Sequence, residues 1–352
     1  MFLLRKSYDI FVCKFKHVAG KRIINIDSKS PVPKYRQIID SIYLAIEKHS
    51  LKKGDKVPSI NQIASEFKLS RDTVMMAFNE LKAKGIILSQ PGKGYYIAST
   101  EINLDEKIFV LFDEFNAFKE DLYNSLINAF KGKASIEVYF HHFNYKVFKN
   151  LIVESIGHYT SYIIMPAAFD NTRHIISKLP QEKVYILDRL KPDLLDYPSV
   201  YQDFEGDFYR AMVKGGELLK RYRRLVFINP GGKEPMEREA GFIKYCTEND
   251  IEHKIVKSIN EANPSMYEAY FVISDRDLVH VIKQAKKYKY KLGKRFGIVS
   301  FNDTTLKEVV AGGITTISTD FAQMGKKLAK MVLAKEKEQI CNSSKLIIRH
   351  SL

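Results

Sequence analysis

Near residue 105 the spacing of apolar residues changes period, and this change fixes how the chain can be organised. Before it, apolar residues recur every three or four positions in short stretches that close in a glycine-punctuated hairpin. After it, short apolar runs at 108–112, 136–140, 161–165, 183–187, 224–228, 269–273 and 295–300 alternate with amphipathic stretches such as 118–130, 204–222 and 277–288. Strand then helix, repeated, is the pattern of an α/β domain whose parallel sheets are covered on both faces. With 352 residues the chain has room for two domains. It reads as an arm (1–30), a small helical module with its hairpin (31–99), a polar linker (100–105) and an α/β domain (106–352).

The charge follows the same division. Residues 1–104 carry 18 Lys/Arg against 9 Asp/Glu, and residues 105–352 carry 38 against 32. A basic module joined to a nearly balanced one suggests a polyanion as partner of the first. No apolar run approaches the ~20 residues of a membrane span. Arg5, Lys6, Lys14 and Lys16 interrupt the apolar start, which lacks the core of a secretory signal, so the chain is expected to stay in the cytoplasm, with no membrane partner. Cys13, Cys246 and Cys341 lie far apart, which argues against a disulfide framework and against a zinc site. His141 and His142 fall on opposite faces of a strand and cannot chelate one ion. Gly231-Gly232 has no phosphate-loop pattern around it and reads as a turn. No metal, cofactor or catalytic residue is expected.

Within the basic module, Ser59 can cap a helix and Gln62, three residues on, completes a capping box. Ile63, Ala64 and Phe67 give that helix an apolar face. Leu69 ends a tight turn, and Ser70 caps a second helix in which Val74, Ala77, Phe78 and Leu81 share one side. Its other side begins with Arg71, Asp72 and Thr73. Gly85 stops this helix, and 86–89 can pair with 95–98 around Gln90-Pro91-Gly92-Lys93-Gly94. Helix, tight turn, helix and glycine-rich hairpin make a winged helix-turn-helix, in which the first turn of the second helix faces a major groove and Lys93 lies beside the phosphates or the minor groove.

Residues 33–98 resemble the winged helix-turn-helix of the gluconate-repressor (GntR) family at Gly54, Pro58-Ser59, Ile63-Ala64, Ser70 to Val74, Gly85-Ile86 and Gly92 to Tyr95. The resemblance implies DNA contacts at Arg71, Thr73 and Gly94. Asn61 and Met75 stand where the family usually has arginine. Asn61 can still bond a phosphate or an adenine edge, whereas Met75 can only pack. The expected DNA-binding set is Asn61, Ser70, Arg71, Thr73, Lys93 and Gly94.

The α/β part, from about 106 to the end, resembles the ligand-binding domain of the lactose/galactose-repressor family, itself similar to periplasmic sugar-binding proteins. The matching stretches are Ser274-Asp275, Phe301-Asn302-Asp303, Thr315-Thr316-Ile317, Met324-Gly325, Asp203 to Gly206 and Arg238 to Phe242. The resemblance implies two lobes, with crossings expected near 200–204, 300–304 and 317–321, and a sugar held between them. Arg238, Asp275 and Asn302 are planar groups able to make two hydrogen bonds with a polyol. Asp113-Glu114 and Asp188-Arg189 at strand ends add Asp113 and Arg189 to the effector set. Phe112, Phe115, Phe169 or Tyr201 could stack on a pyranose. Ordinary roles stay open: Asp275 and Asp303 as helix caps or turn residues, Arg238 as a surface charge, and Asp188-Arg189 as a local ion pair.

The expectation is a sequence-specific repressor acting as a homodimer on double-stranded operator DNA and relieved by a small sugar. The alternative is an aminotransferase-like enzyme domain, which some chains with this DNA-binding module carry. It needs a Schiff-base lysine with phosphate and pyridine partners, and no such constellation is found.

Overall fold

The computed structural model describes residues 23–28, 30, 32–101 and 106–352. Most of the expected arm, Cys13 included, and linker residues 102–105 lie outside the described residues. The chain divides near Lys107 into two compact units.

The first unit holds α1 (Lys34–Glu47), α2 (Ile60–Phe67), α3 (Arg71–Ala83) and a hairpin of β1 (Ile87–Gln90) and β2 (Gly94–Ile97). Ile38, Ile42 and Ile46 form a stripe along α1 that packs with Val74, Phe78 and Leu81 of α3, all buried. The expected caps are present: the Ser59 hydroxyl accepts from the Gln62 amide at 3.2 Å while Gln62 Oε1 accepts from the Ser59 amide at 2.7 Å. Ser70 Oγ accepts from the Thr73 amide at 3.1 Å. Gly85, at φ 65°, ends α3 as expected. The core begins before residue 31, because Ile24 is only 3% exposed within it and the Asn25 amide donates to Ser41 Oγ at 3.0 Å.

In the second unit, β3 (Glu106–Phe112), α4 (Lys119–Phe130), β4 (Ala134–Phe140), α5 (Tyr145–Ser155), β5 (Ser161–Ile164), α6 (Thr172–Ile176), β6 (Val184–Asp188) and β7 (Ser199–Tyr201) build one lobe. The second lobe follows as α7 (Phe204–Lys214), α8 (Gly216–Leu219), β8 (Arg224–Ile228), α9 (Glu237–Glu248), β9 (Glu252–Val256), α10 (Ile259–Ala262), β10 (Glu268–Val272), α11 (Asp275–Lys287), β11 (Phe296–Phe301), α12 (Thr305–Val309) and β12 (Thr315–Thr319). The chain then returns with α13 (Phe321–Ala334) and β13 (Gln339–Cys341) to the first lobe and ends with β14 (Ser344–Ile347) in the second. The sheet orders are β13-β7-β6-β5-β3-β4 and β14-β12-β11-β10-β8-β9. In the second sheet β14 runs antiparallel to β12, while β9, β8, β10, β11 and β12 run parallel.

The seven anticipated strands all form. The strands missed, β7, β9, β12, β13 and β14, are short or interrupted by polar residues. The crossings between lobes fall at 202–203, 320 and 342–343. The crossing expected at 300–304 is corrected: β11 pairs with both β10 and β12, so the chain stays in the second lobe there. Polar β13 and β14, joined by Asn342-Ser343, make the third crossing instead.

Close helix packing sets the second lobe. A Cβ on Gly241 of α9 would lie 2.2 Å from the Glu205 carbonyl oxygen of α7. Gly241→Ala is therefore expected to lower stability of this unit by about 1–3 kcal/mol, read as a shifted urea midpoint. An unmoved midpoint would show that α7 and α9 separate freely.

Candidate functional site

On the first unit, the second helix of the motif offers its N-terminal turn to solvent. Ser70 and Arg71 are exposed, Thr73 is half-buried, and Asn61 on α2 is exposed. Ser70 and Thr73 are tied together by their hydroxyls at 2.8 Å, which fixes the direction of the turn carrying Arg71. Met75 packs against the core. At the hairpin tip Lys93 is exposed, and Gly94 has φ 110°, where a side chain would be strained and would press on Lys56. Lys56 is a basic residue that the sequence reading missed; it bridges to β2 opposite Tyr96.

In the second unit a cavity lies between the lobes, at the carboxyl ends of their parallel strands. It has about 70 Å³ of free space, room for roughly five water positions. The first lobe contributes Asp113, Glu114 and Lys119 around the end of β3 and start of α4, and Asp188 and Arg189 at the end of β6. The second contributes Phe204, Lys233, Glu234, Arg238 and Asn302.

Arg238 carries the clearest signal. Its residue is 5% exposed. Its guanidinium carbon lies 5.1 Å from the Phe204 ring centre and 4.6 Å from that of Phe301, so aromatic faces hold the plane. A guanidinium has five N–H donors, and here the hydrogen bond found is one to Glu234 at 3.5 Å. Burial pulls its pKa below the ordinary arginine value, opposed by Glu234 and then Asp188.

Asn302 is buried, sits at φ 59°, and lines the same cavity. Asp188 is at φ 73°. Two non-glycine residues with left-handed backbone at strand ends beside one cavity mark stored strain, about 1–3 kcal/mol each. Burial pushes the Asp188 carboxyl above the usual carboxylate range, opposed by Lys119 and by a 2.6 Å hydrogen bond from Gln202. Asp113 forms a buried ion pair with Lys119. Arg189 donates to Glu237 of the other lobe at 2.7 and 2.8 Å, and Lys233 to Glu114 at 2.6 Å.

Four of the five expected effector residues, Asp113, Arg189, Arg238 and Asn302, thus share the cavity. Asp275 does not line it. It is exposed at the first position of α11 and ion-paired with buried Lys307 at 3.0 Å, while Ser274 does the capping. Asp303 is held by Arg349 at 2.7 Å. None of the four aromatic candidates lines the cavity: Phe112 is in the core, Phe115 is exposed, Phe169 packs with His141 and Phe148, and Tyr201 lies in β7. Phe118, Phe143, Phe204 and Phe321 line it instead. Phe204 was within reach of the sequence, being next to the anticipated crossing. Among the described residues no group of three His, Cys, Asp or Glu could hold a metal ion, and no helix is long and apolar enough to cross a membrane.

Comparison with known proteins agrees with this division. Residues 34–97 match the bacterial regulatory proteins of the gntR family. The chain is 31% identical over 115 residues to the HTH-type transcriptional repressor YtrA of Bacillus subtilis (strain 168), covering 33% of this chain and 85% of that one. This chain belongs to the GntR family. Residues 218–352 match a periplasmic binding protein-like domain, so this GntR protein joins the family's DNA-binding module to a domain of that kind. It is a DNA-binding transcription regulator, and the aminotransferase-like alternative is set aside. In fold the GntR chain is similar to the trehalose repressor from Escherichia coli (TM-score 0.58, 14% identity, 69% of this chain and 100% of that one). It is likewise similar to the lac repressor dimer bound to operator and the anti-inducer ONPF (TM-score 0.59, 16% identity, 71% and 95%).

Proposed function

We propose that this regulator is a repressor that binds a palindromic operator as a homodimer and is released when a small uncharged sugar enters the cavity between the sensor lobes. The observation that carries the reading is Arg238: a buried guanidinium, lying over the rings of Phe204 and Phe301, whose donors are largely left to the cavity. A polyol hydroxyl pair satisfies such a group. The other cations at the cavity already face carboxylates, Lys119 with Asp113, Lys233 with Glu114 and Arg189 with Glu237. That balance favours an uncharged sugar over a phosphorylated one. The trehalose repressor, similar in fold, is named for a sugar.

The homodimer is supported by exposed apolar residues. Leu306 and Val309 on α12 are 67% and 72% exposed, and Val279 on α11 is exposed one turn beyond Asp275. The Asp275–Lys307 pair brings the two helix starts together. A second copy packing the same face against itself would cover them. Leu306→Glu is expected to convert dimer to monomer in sedimentation velocity and to weaken operator binding; a dimer unaffected by it would move the interface elsewhere.

For DNA, Arg71 is assigned to a base edge and Lys93 to backbone phosphate, with Asn61, Ser70, Thr73 and Gly94 completing the surface. Arg71→Ala should cost ~1–3 kcal/mol on the specific site and less on random DNA. Lys93→Ala should weaken binding to all sequences and reduce the salt slope by about one. Equal losses on both DNAs for Arg71→Ala would make it a phosphate contact, and an unchanged salt slope would take Lys93 off the interface.

A thermal-shift screen over pentoses, hexoses, deoxyhexoses and their phosphates tests the sensor. Uncharged sugars are expected to stabilise the protein, and Arg238→Ala to remove that stabilisation through a loss of ~2–5 kcal/mol of binding, roughly thirtyfold or more. A full response in this variant would misplace the site, and loss of folding would make Arg238 structural.

A further inference from the structure

Two ion pairs span the cavity from lobe to lobe. Lys233 follows the Gly231-Gly232 turn, both glycines at φ near 70°, and reaches from the second lobe to Glu114 of the first at 2.6 Å. On the way its ammonium lies 5.1 Å from the centre of the Phe143 ring, a lining residue of the first lobe. Arg189, one residue past β6 in the first lobe, gives Nη2 to both oxygens of Glu237, the first residue of α9 in the second. Glu114, Arg189 and Lys233 all line the cavity, so the bridges lie at its walls.

We propose that Glu114, Lys233, Arg189 and Glu237 are positioning residues of the effector site, which hold the lobes closed over the cavity by ion pairs that no effector supplies. The inference rests on the cavity being the effector site, but the bridges act before any effector arrives. A group meant for a ligand leaves its donors to the cavity, as Arg238 does. Lys233 and Arg189 instead spend their charge on carboxylates of the opposite lobe. Opening the lobes separates both pairs and returns four charges to water, so the pairs bias the equilibrium towards the closed form. Both are partly exposed, and each is expected to shift the open-to-closed ratio by about two- to fivefold. A pre-closed cavity raises apparent effector affinity by the fraction already competent to bind.

The test needs no sugar. In the full chain, with Cys13, Cys246 and Cys341 replaced by Ala, spin labels go on Lys178→Cys in the first lobe and Thr247→Cys in the second. Labelled chains are diluted with unlabelled ones so that pulsed electron resonance reads the distance within one chain. The effector-free protein should give one dominant short distance. Glu114→Lys and Glu237→Arg should each raise the longer-distance population by about two- to fivefold. The exchanged pair Glu114→Lys with Lys233→Glu should return the distribution to that of the parent. Potassium chloride at high concentration should open the unsubstituted protein in the same way, which keeps the test available if a reversal variant fails to fold. A distribution unmoved by reversal or by salt overturns the proposal, and so does an exchanged pair that fails to restore it. A blank sugar screen would count against the effector reading and leave this result standing.

Discussion

Parallel strands force the sensor into the shape that makes it a sensor. A strand can be followed by a parallel neighbour only after the chain has returned along the face of the sheet, so every strand ends on the same edge. With two such sheets in the described structure and the chain crossing at 202–203, 320 and 342–343, the loops after β3, β6, β8 and β11 open into one space. Asp113, Asp188, Lys233 and Asn302 owe their proximity to that edge. The distance between them along the chain is irrelevant to it.

The space is lined by charge, and the way the charge is settled separates structural from receptive groups. At the cavity buried Lys119 is matched by Asp113, and away from it buried Lys307 is matched by Asp275 and by the carbonyl oxygens of Phe301 and Asn302. These satisfy the rule that an ion taken from water needs partners. Arg238 is the exception, in contact with two rings but poorly bonded. Left-handed backbone at Asp188 and Asn302 puts two more polar groups at the cavity at a conformational cost that helix and sheet alone do not require.

Much of this was legible in the residues. Capping at Ser59 and Ser70, the 74–78–81 stripe and the glycine at the end of α3 specify the winged helix locally, each through contacts within a few positions. Apolar runs located seven of the α/β unit's strands for the same reason. β13 and β14 escaped because Gln339–Cys341 forms a strand only by pairing with β7, more than a hundred residues earlier, and Ser344–Ile347 only by pairing with β12 after the chain has passed through the first lobe and come back. Arg238 and Asn302 were legible through resemblance and Phe204 by its neighbourhood. The roles of Lys119, Gln202 and Lys233 depend on which side chains stand opposite them, which periodicity does not encode. Asp275 misled because an acidic residue at a strand end looks alike whether it faces a cleft or a lysine.

The return of α13 to the first lobe also bears on synthesis. Phe321, Met324, Leu328 and Val332 belong to the buried core beneath β3, β5 and β6. When β6 has left the ribosome, that face of the first sheet has only Leu122, Leu126 and Phe130 of α4 over it, and the second lobe must be translated before α13 completes the cover. At elongation rates of roughly 5–20 residues per second, the wait lasts about 7–30 seconds. During that interval a nascent chain carries a half-covered apolar sheet face while the DNA-binding unit ahead of it, whose contacts are local, has everything it needs to fold. The order of the gene thus leaves the first lobe waiting longest for the last helix of its core, whereas the core of the DNA-binding unit is complete by Ile97.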